Sequence, residues 1–343
     1  MRRLLNTLYV TTQGAYLHRD GENIIVRVDG EVKMRVPIHN LSGVVCFGQV
    51  SCSSPLMELC AERKVALSFL SEHGHFYARV DGPVSGNVLL RREQYRRADD
   101  EGASAAIARS IVIGKLSNCR TVLMRAMRDH PEEIPTRDIS NASRHLAALL
   151  GLLGHDQPLE TVRGIEGDAA RWYFSVFDHL IVKQKDSFFF RERSRRPPLD
   201  NLNALLSFLY TIVRHDVGAA LESVGLDPAV GFLHRDRPGR PGLALDMMEE
   251  FRPLMADRLA LSLINRQQVS RRGFKTTESG AVMMDDEIRK TVLIAYQERK
   301  QEKIQHPFIN ETVEFGLLPY VQALLFARHL RGDLEAYPPY IWK

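Results

Sequence analysis

Three stretches of this chain carry residues able to do chemistry, and none of them is a nucleophile motif. Asp246 and Glu249 lie three apart in Leu243-Ala244-Leu245-Asp246-Met247-Met248-Glu249-Glu250-Phe251-Arg252-Pro253. On a helix that spacing puts both carboxylates on one face, flanked by Leu245, Met248 and Phe251. Two carboxylates beside apolar neighbours are poorly solvated and repel each other, so they need a cation, either an arginine such as Arg252 or a metal. Glu250 projects about 100° away from Glu249 and is expected to meet solvent or a salt-bridge partner. Glu166 stands between glycines in Arg163-Gly164-Ile165-Glu166-Gly167-Asp168, at what reads as a helix start. There it either offsets the helix dipole or is open to close approach by a ligand. His234 follows Gly231-Phe232-Leu233 and precedes Arg235, Arg237 and Arg240 in a loop rich in Pro and Gly. That loop is either a solvated basic turn or a phosphate cradle, because guanidinium forks match phosphate oxygens.

The elements that must position these residues fall into two regions. Up to residue 86 the chain reads as short strands. Ile24, Val26 and Val28 alternate with Ile25, Arg27 and Asp29, Val32, Met34 and Val36 do the same, and Asp29-Gly30 supplies the hairpin turn between them. Val44–Phe47, Val65–Leu70 and His75–Val80 read as further strands, with a short helix from Leu56 to Glu62 and a turn at Gly74. The expected fold is α+β: a small, sandwich-like β-rich domain over 1–86, then a larger all-α domain over 87–343. After the Gly82-Pro83 to Gly86 break the period becomes helical. A long helix carries Ile107, Ile111 and Lys115. Others read as 142–153, 167–180, 202–221, 246–265, 285–303 and 310–330, with a short hairpin near 271–284.

Composition narrows the class. With 44% hydrophobic and 26% charged residues the 343-residue chain is ordinary globular material. No run of about 18 apolar residues is present, so no membrane-spanning helix is expected, and the basic start Met1-Arg2-Arg3 is not followed by a signal-like apolar segment. Four cysteines without a C-x-x-C pair point away from zinc and toward reduced thiols in a cytoplasmic protein. A net charge of +4 says little; local clusters say more. Arg91-Arg92 with Arg96-Arg97, Arg191 to Arg196, and Arg271-Arg272 with Lys275 sit beside Tyr95, Phe188–Phe190 and Phe274. They are either solvated faces or places where phosphates are paired and frayed bases stacked. The chain has no G-x-S-x-G, no G-x-x-x-x-G-K-[ST] and no H-E-x-x-H, so an enzyme built on it works with carboxylates, histidine and a metal, or with groups of the substrate.

The order of these features is rarer than any one of them. A Glu-Gly helix, a Gly-x-x-His loop and a Leu-Asp-x-x-Glu-x-Phe-Arg-Pro helix, together with Asn201-Leu202-Asn203-Ala204-Leu205-Leu206-Ser207-Phe208-Leu209-Tyr210, resemble the CRISPR-associated spacer-acquisition integrase. This is the larger of the two proteins common to most adaptation modules, and the likeness runs over essentially the whole chain. Leu5-Asn6-Thr7-Leu8-Tyr9-Val10-Thr11-Thr12 and Gly86-Asn87-Val88-Leu89-Leu90-Arg91-Arg92 resemble its type I-C branch. The resemblance implies that Glu166, His234 and Glu249 bind a catalytic divalent metal, although many members carry Asp near the third position. Asp246, one turn back, is implied as an additional ligand or a support for one. Arg237 falls where relatives contact DNA, with Arg235 and Arg240 beside it. Homodimers joined by a small ferredoxin-like companion are implied too.

Two carboxylates and an imidazole suit Mg²⁺ or Mn²⁺. The expected reaction is insertion of short DNA fragments into the CRISPR array, with the 3′-OH of the incoming DNA attacking a phosphodiester; no protein nucleophile is needed. The expected partners are donor DNA, the CRISPR repeat, a second copy and the companion. Two other readings stand: a metal-dependent endonuclease cutting branched or single-stranded DNA with water, and a non-catalytic nucleic-acid scaffold. The apolar tail Tyr337-Pro338-Pro339-Tyr340-Ile341-Trp342 is expected either to pack on its own domain or to dock elsewhere.

Overall fold

The computed structural model describes residues 6–72, 76–80, 82 and 88–342. Met1–Leu5, the turn at Gly74, the strand start at His75 and the 83–87 linker lie outside the described residues. The chain divides into two compact units. One comprises Met1–Gly86 with Asp286–Lys303 and Glu314–Leu317; the other comprises Asn87–Asp285, Ile304–Val313 and Leu318–Lys343.

The strands of the first unit are β1 (Asn6–Val10), β2 (Tyr16–Asp20), β3 (Asn23–Val28), β4 (Glu31–Pro37), β5 (Leu41–Phe47), β6 (Ser51–Cys52), β7 (Ala66–Leu70) and β8 (Phe76–Val80), with α1 (Ser54–Glu62) preceding β7. They form two four-stranded sheets, ordered β1-β5-β7-β8 and β4-β3-β2-β6. The β3–β4 hairpin turns on two residues of positive φ, Asp29 at 52° and Gly30 at 81°, as the Asp-Gly pair predicts. Leu17 and Ile24 of one sheet, Val44 and Leu67 of the other, and Leu56 and Leu59 of α1 share one core. β1, β2 and β6 escape sequence reading. β1 runs parallel to β5, so its partner is set by a long crossover rather than a turn.

The main remaining elements are α2 (Val88–Asp99), α3 (Glu101–Asp129), α4 (Thr136–Leu152), α5 (Leu159–Ser175), α6 (Asn201–Ser223), α7 (Gly242–Arg252), α8 (Arg258–Asn265), the hairpin of β9 (Phe274–Thr276) and β10 (Val282–Met284), α9 (Asp286–Gln301), the paired short strands β11 (Lys303–Gln305) and β12 (Thr312–Glu314), which take the place of the first part of the helix expected over 310–330, and α10 (Leu318–Leu330). Sequence reading assigned α9 to the helical domain. It belongs with the first unit, where Gln297 Nε2 donates to Thr7 O of β1 at 3.3 Å. α3 is capped by Asp100, which accepts from Ala103 N at 2.8 Å, and α6 by Asp200, which accepts from Asn203 N at 2.7 Å. α6 is long and apolar enough to cross a membrane by composition. Here Leu205, Leu206, Leu209 and Val213 are buried inside the unit, each such leucine contributing roughly 2 kcal/mol of burial. The single helix expected over 246–265 is instead α7, a π-helical turn over Pro253–Asp257, and α8. Pro253 lacks the N–H that would continue the α-helical ladder, and wide turns of this kind recur near functional sites.

Candidate metal centre

The His234 loop is built by backbone contact. Gly231 and Gly242 pack so closely that a Cβ on Gly231 would lie 2.7 Å from Gly242 C and 2.8 Å from Asp246 Oδ2. Gly242 N also donates to Ala229 O at 2.9 Å, which pinches the two ends of the loop together. Asp246, on the second turn of α7 and fully buried, gathers the loop around its carboxylate. Its Oδ2 accepts from the N–H groups of Phe232 (2.6 Å) and Leu233 (2.9 Å), and its Oδ1 accepts from His234 N (3.0 Å) and lies 2.6 Å from His234 Nδ1. Arg163 of α5 ties the other side, donating from Nε to Leu233 O at 2.7 Å. The imidazole is thereby held with Nδ1 engaged, and among the described residues Nε2 has no hydrogen-bond partner. A carboxylate behind a histidine is the arrangement that orients imidazoles toward metals.

Glu166 lies on α5, Glu249 on α7 and Lys115 on α3, and both carboxylates converge on the lysine. Lys115 Nζ contacts Glu166 Oε1 and lies 2.6 Å from Glu249 Oε2. Lys115 and Glu249 are 2% and 7% exposed and form the floor; Glu166 and His234, 27% and 23% exposed, stand at the rim. Arg252 Nη1 donates to Glu249 Oε1 at 3.2 Å. Burial pushes the Glu249 carboxyl up, but the Arg252 guanidinium and the Lys115 ammonium outweigh it and hold the group at about 2, ionised. Behind Arg252, buried Asp257 accepts from Tyr210 (2.5 Å) and Tyr173 (3.2 Å). Burial raises the Asp257 carboxyl against the lowering pull of Arg252.

As placed, no group of three His, Cys, Asp or Glu side chains could hold an ion among the described residues, and Lys115 bridges the two glutamates. The donor set nevertheless fits a hard divalent cation. The contact of Glu249 Oε2 with Lys115 lacks hydrogen-bond geometry, His234 Nε2 is uncommitted, and two carboxylates with one imidazole are the ligands Mg²⁺ or Mn²⁺ takes. The Arg252 pairing weighed for Glu249 is present alongside this set.

The sequence profile described as "CRISPR associated protein Cas1" matches residues 8–298. This chain belongs to the Cas1 family. A protein of Chlorobaculum tepidum named CRISPR-associated endonuclease Cas1 1 is 54% identical over 343 residues, spanning 100% of both chains. Among solved structures, a casposase bound to its integration product has a TM-score of 0.82 at 20% identity, with 98% of this chain and 94% of that one covered. A chain of a Cas6-RT-Cas1–Cas2 complex has a TM-score of 0.80 at 24% identity, with 98% of this chain and 36% of that one covered. The Cas1 fold, mixed α+β with a β-rich N-terminal region and a helical C-terminal region, is therefore the fold of this chain.

Within this Cas1 fold several sequence expectations move. Glu166 is two turns inside α5, which starts after Pro158, and Gly164 and Gly167 border open space rather than a close approach. Asp246 has all its hydrogen bonds turned to the loop and the histidine. Glu250 does not face solvent. It is fully buried, and Tyr337 Oη, Tyr340 N and Gln322 Nε2 donate to it at 2.6, 2.8 and 3.2 Å. Burial pushes its carboxyl up to about 8 against those donors. The apolar tail packs on its own unit, with Tyr337 and Tyr340 buried. Arg235, Arg237 and Arg240 lie on the His234 loop, the first two exposed, and Arg235 pairs with Glu160 at 3.0 Å. Arg193 is not a free basic residue: its guanidinium donates to Asn203 Oδ1 (2.6 Å) and Ser207 Oγ (3.1 Å). Phe188 is buried edge-on against Phe274, and Phe190 is buried against Phe174 and Phe177, so neither is a stacking platform. Lys115 was missed, although a lysine inside the apolar run Ile111-Val112-Ile113-Gly114-Lys115-Leu116 signals a buried, paired charge.

Proposed function

We propose that this chain is a metal-dependent DNA integrase of CRISPR adaptation, of the type I-C branch, that joins short DNA fragments into the array by 3′-OH attack on phosphodiesters. The observation that carries the proposal is the convergence of Glu166 and Glu249, from two different helices, on one buried cation beside an oriented imidazole. A Mg²⁺ or Mn²⁺ ion bound there would polarise the scissile phosphate. The chain's own residues do the rest. Glu166, Glu249 and His234 Nε2 would hold the ion, Asp246 fixes the imidazole, and Arg252 keeps Glu249 ionised. Arg237, Arg240 and Arg235 pair phosphates of the approaching DNA. The new phosphodiester is of the same kind as the one broken, so no nucleotide hydrolysis is needed. The endonuclease name carried by a 54% identical relative, and the fold shared with a casposase solved on its integration product, support DNA strand chemistry.

The assembly we propose is a homodimer through the β-rich unit, joined by a small ferredoxin-like companion and bound to donor and repeat DNA. β4 supports self-association, since it lies at a sheet edge with Val32 and Met34 exposed. Four free cysteines, three of them buried, support a reducing, cytoplasmic setting. A 3′-dideoxy donor tests the chemistry: joining should stop while any hydrolytic nicking persists. Nicking alone with an intact 3′-OH donor would favour the endonuclease reading instead.

A further inference from the structure

The segment Tyr337–Trp342 has no helix or strand of its own, yet several of its polar groups are held by side chains of the helices around it. Asn118 of α3 donates from Nδ2 to Tyr340 O (2.9 Å) and accepts at Oδ1 from Trp342 N (2.8 Å), so a side-chain amide pairs the tail much as a neighbouring strand would. The same Nδ2 reaches Glu250 O of α7 at 2.8 Å. The Glu250 carboxylate takes the Tyr337 hydroxyl and Tyr340 N, and Gln322 of α10 donates to Pro338 O at 2.9 Å. Two guanidiniums lie over the Trp342 ring, Arg125 at 3.6 Å and Arg258 at 4.7 Å from its centroid. A Cβ on Gly114 would come within 2.9 Å of Pro339 and 3.1 Å of Glu250 Cγ, so glycine is what lets the tail lie against α3.

The groups that grip the tail are sequence neighbours of the site. Asn118 is three residues from Lys115 on α3 and shares its face; Glu250 follows Glu249 on α7. We infer that Tyr337–Trp342 is a positioning strap, which through Asn118 and Glu250 fixes α3 against α7 and so sets Lys115 against Glu249. Its consequence for metal binding rests on the function proposed above. Displacements near 1 Å at a reacting centre cost on the order of a hundredfold in rate, so a strap of this kind has a measurable effect without touching substrate.

The test compares three full-length variants, Asn118→Ala, Tyr337→Phe and, as a matched core lesion in the β9–β10 hairpin, Val282→Ala. Mn²⁺ affinity is read by calorimetry, and amide exchange of residues 242–252 by mass spectrometry without metal. The strap predicts that Asn118→Ala, which removes the direct bond to Glu250 O together with the two to the tail, weakens Mn²⁺ binding at least tenfold and speeds exchange in α7. Tyr337→Phe, which removes a tail contact alone, shows whether the tail shares in this. Tyr337→Phe should move both in the same direction by about threefold, and Val282→Ala neither. Wild-type affinity and exchange in Asn118→Ala, or equal effects from Val282→Ala at equal thermal stability, would overturn it. If Asn118→Ala does not fold, Tyr337→Phe decides by the same criteria. If the wild type itself binds no Mn²⁺, the metal reading falls, and the exchange measurement alone decides the strap.

Discussion

Asp246 shows how a charged residue can serve a site without facing it. One buried carboxylate accepts three backbone N–H groups and meets an imidazole, so the shape of the loop and the aim of His234 depend on the same two oxygens. Asp246→Asn turns an amide N–H toward those donors. We expect a loss of about 3 kcal/mol in stability, seen in denaturant titration, together with donor joining reduced at least a hundredfold and not restored by excess Mn²⁺. Joining at wild-type rates would show that the loop is organised by other means. The spacing of Asp246 and Glu249 was legible in the sequence as a shared helix face. Which carboxylate turns to the loop and which to the cation was not, because Lys115 comes from 134 residues away and only tertiary structure brings it in. The cysteines make a separate prediction at this scale. Burial pushes Cys46, Cys60 and Cys119 up to about 12 from 9.0. These thiols therefore stay neutral in the folded state, and the stability they contribute is complete below pH 9 and lost as pH rises toward 12. At pH 8 their thiolate fraction is therefore far below that of the unfolded chain. Iodoacetamide should label them far more slowly in native protein than in urea, and equal rates would contradict the burial.

Glycine has its clearest role where α7 begins. Gly231 and Gly242 touch backbone to backbone, which is why the loop that delivers His234 can close on the helix that delivers Glu249. Gly231→Ala places a methyl against main chain that cannot swing aside. We expect a lower melting temperature and a joining defect of at least tenfold, whereas Gly167→Ala, facing open space, should leave both unchanged; the same response from the two variants would refute the argument. Elements defined by local chemistry were the readable ones. The Asp29-Gly30 hairpin, the short helix after Ser53 and the helical periods of α4 and α6 follow from turn residues, Pro placement and spacing. The start of α5 was misread because Gly164 and Gly167 resemble a helix boundary, while Pro158 marks the real one. The break at Pro253 was printed in the sequence, but its outcome as a π turn was not, since the turn's last residue, Asp257, is held by Tyr173 and Tyr210 from other helices.

For the molecule as a whole, +4 is a small net charge, so the DNA binding proposed above would have to come from where the basic residues sit. If about six phosphates are neutralised, affinity should fall by about 10³ between 50 and 200 mM salt, measurable by fluorescence anisotropy; a flat response would mean that the exposed arginines are only a solvated surface. Two-region organisation was legible from the change of period near residue 86, but the return of α9 to the first unit was not, because its helical pattern does not name its partner. The central claim concerns the metal centre, and His234→Ala addresses it most directly. Removing the imidazole leaves Asp246 its three backbone donors, so the loop keeps its anchor and the phosphate contacts keep their residues. In single-turnover joining of a 3′-OH donor to repeat DNA in Mn²⁺, His234→Ala should bind DNA within about threefold of wild type and form no product above background. Joining at the wild-type rate by the folded variant would contradict it.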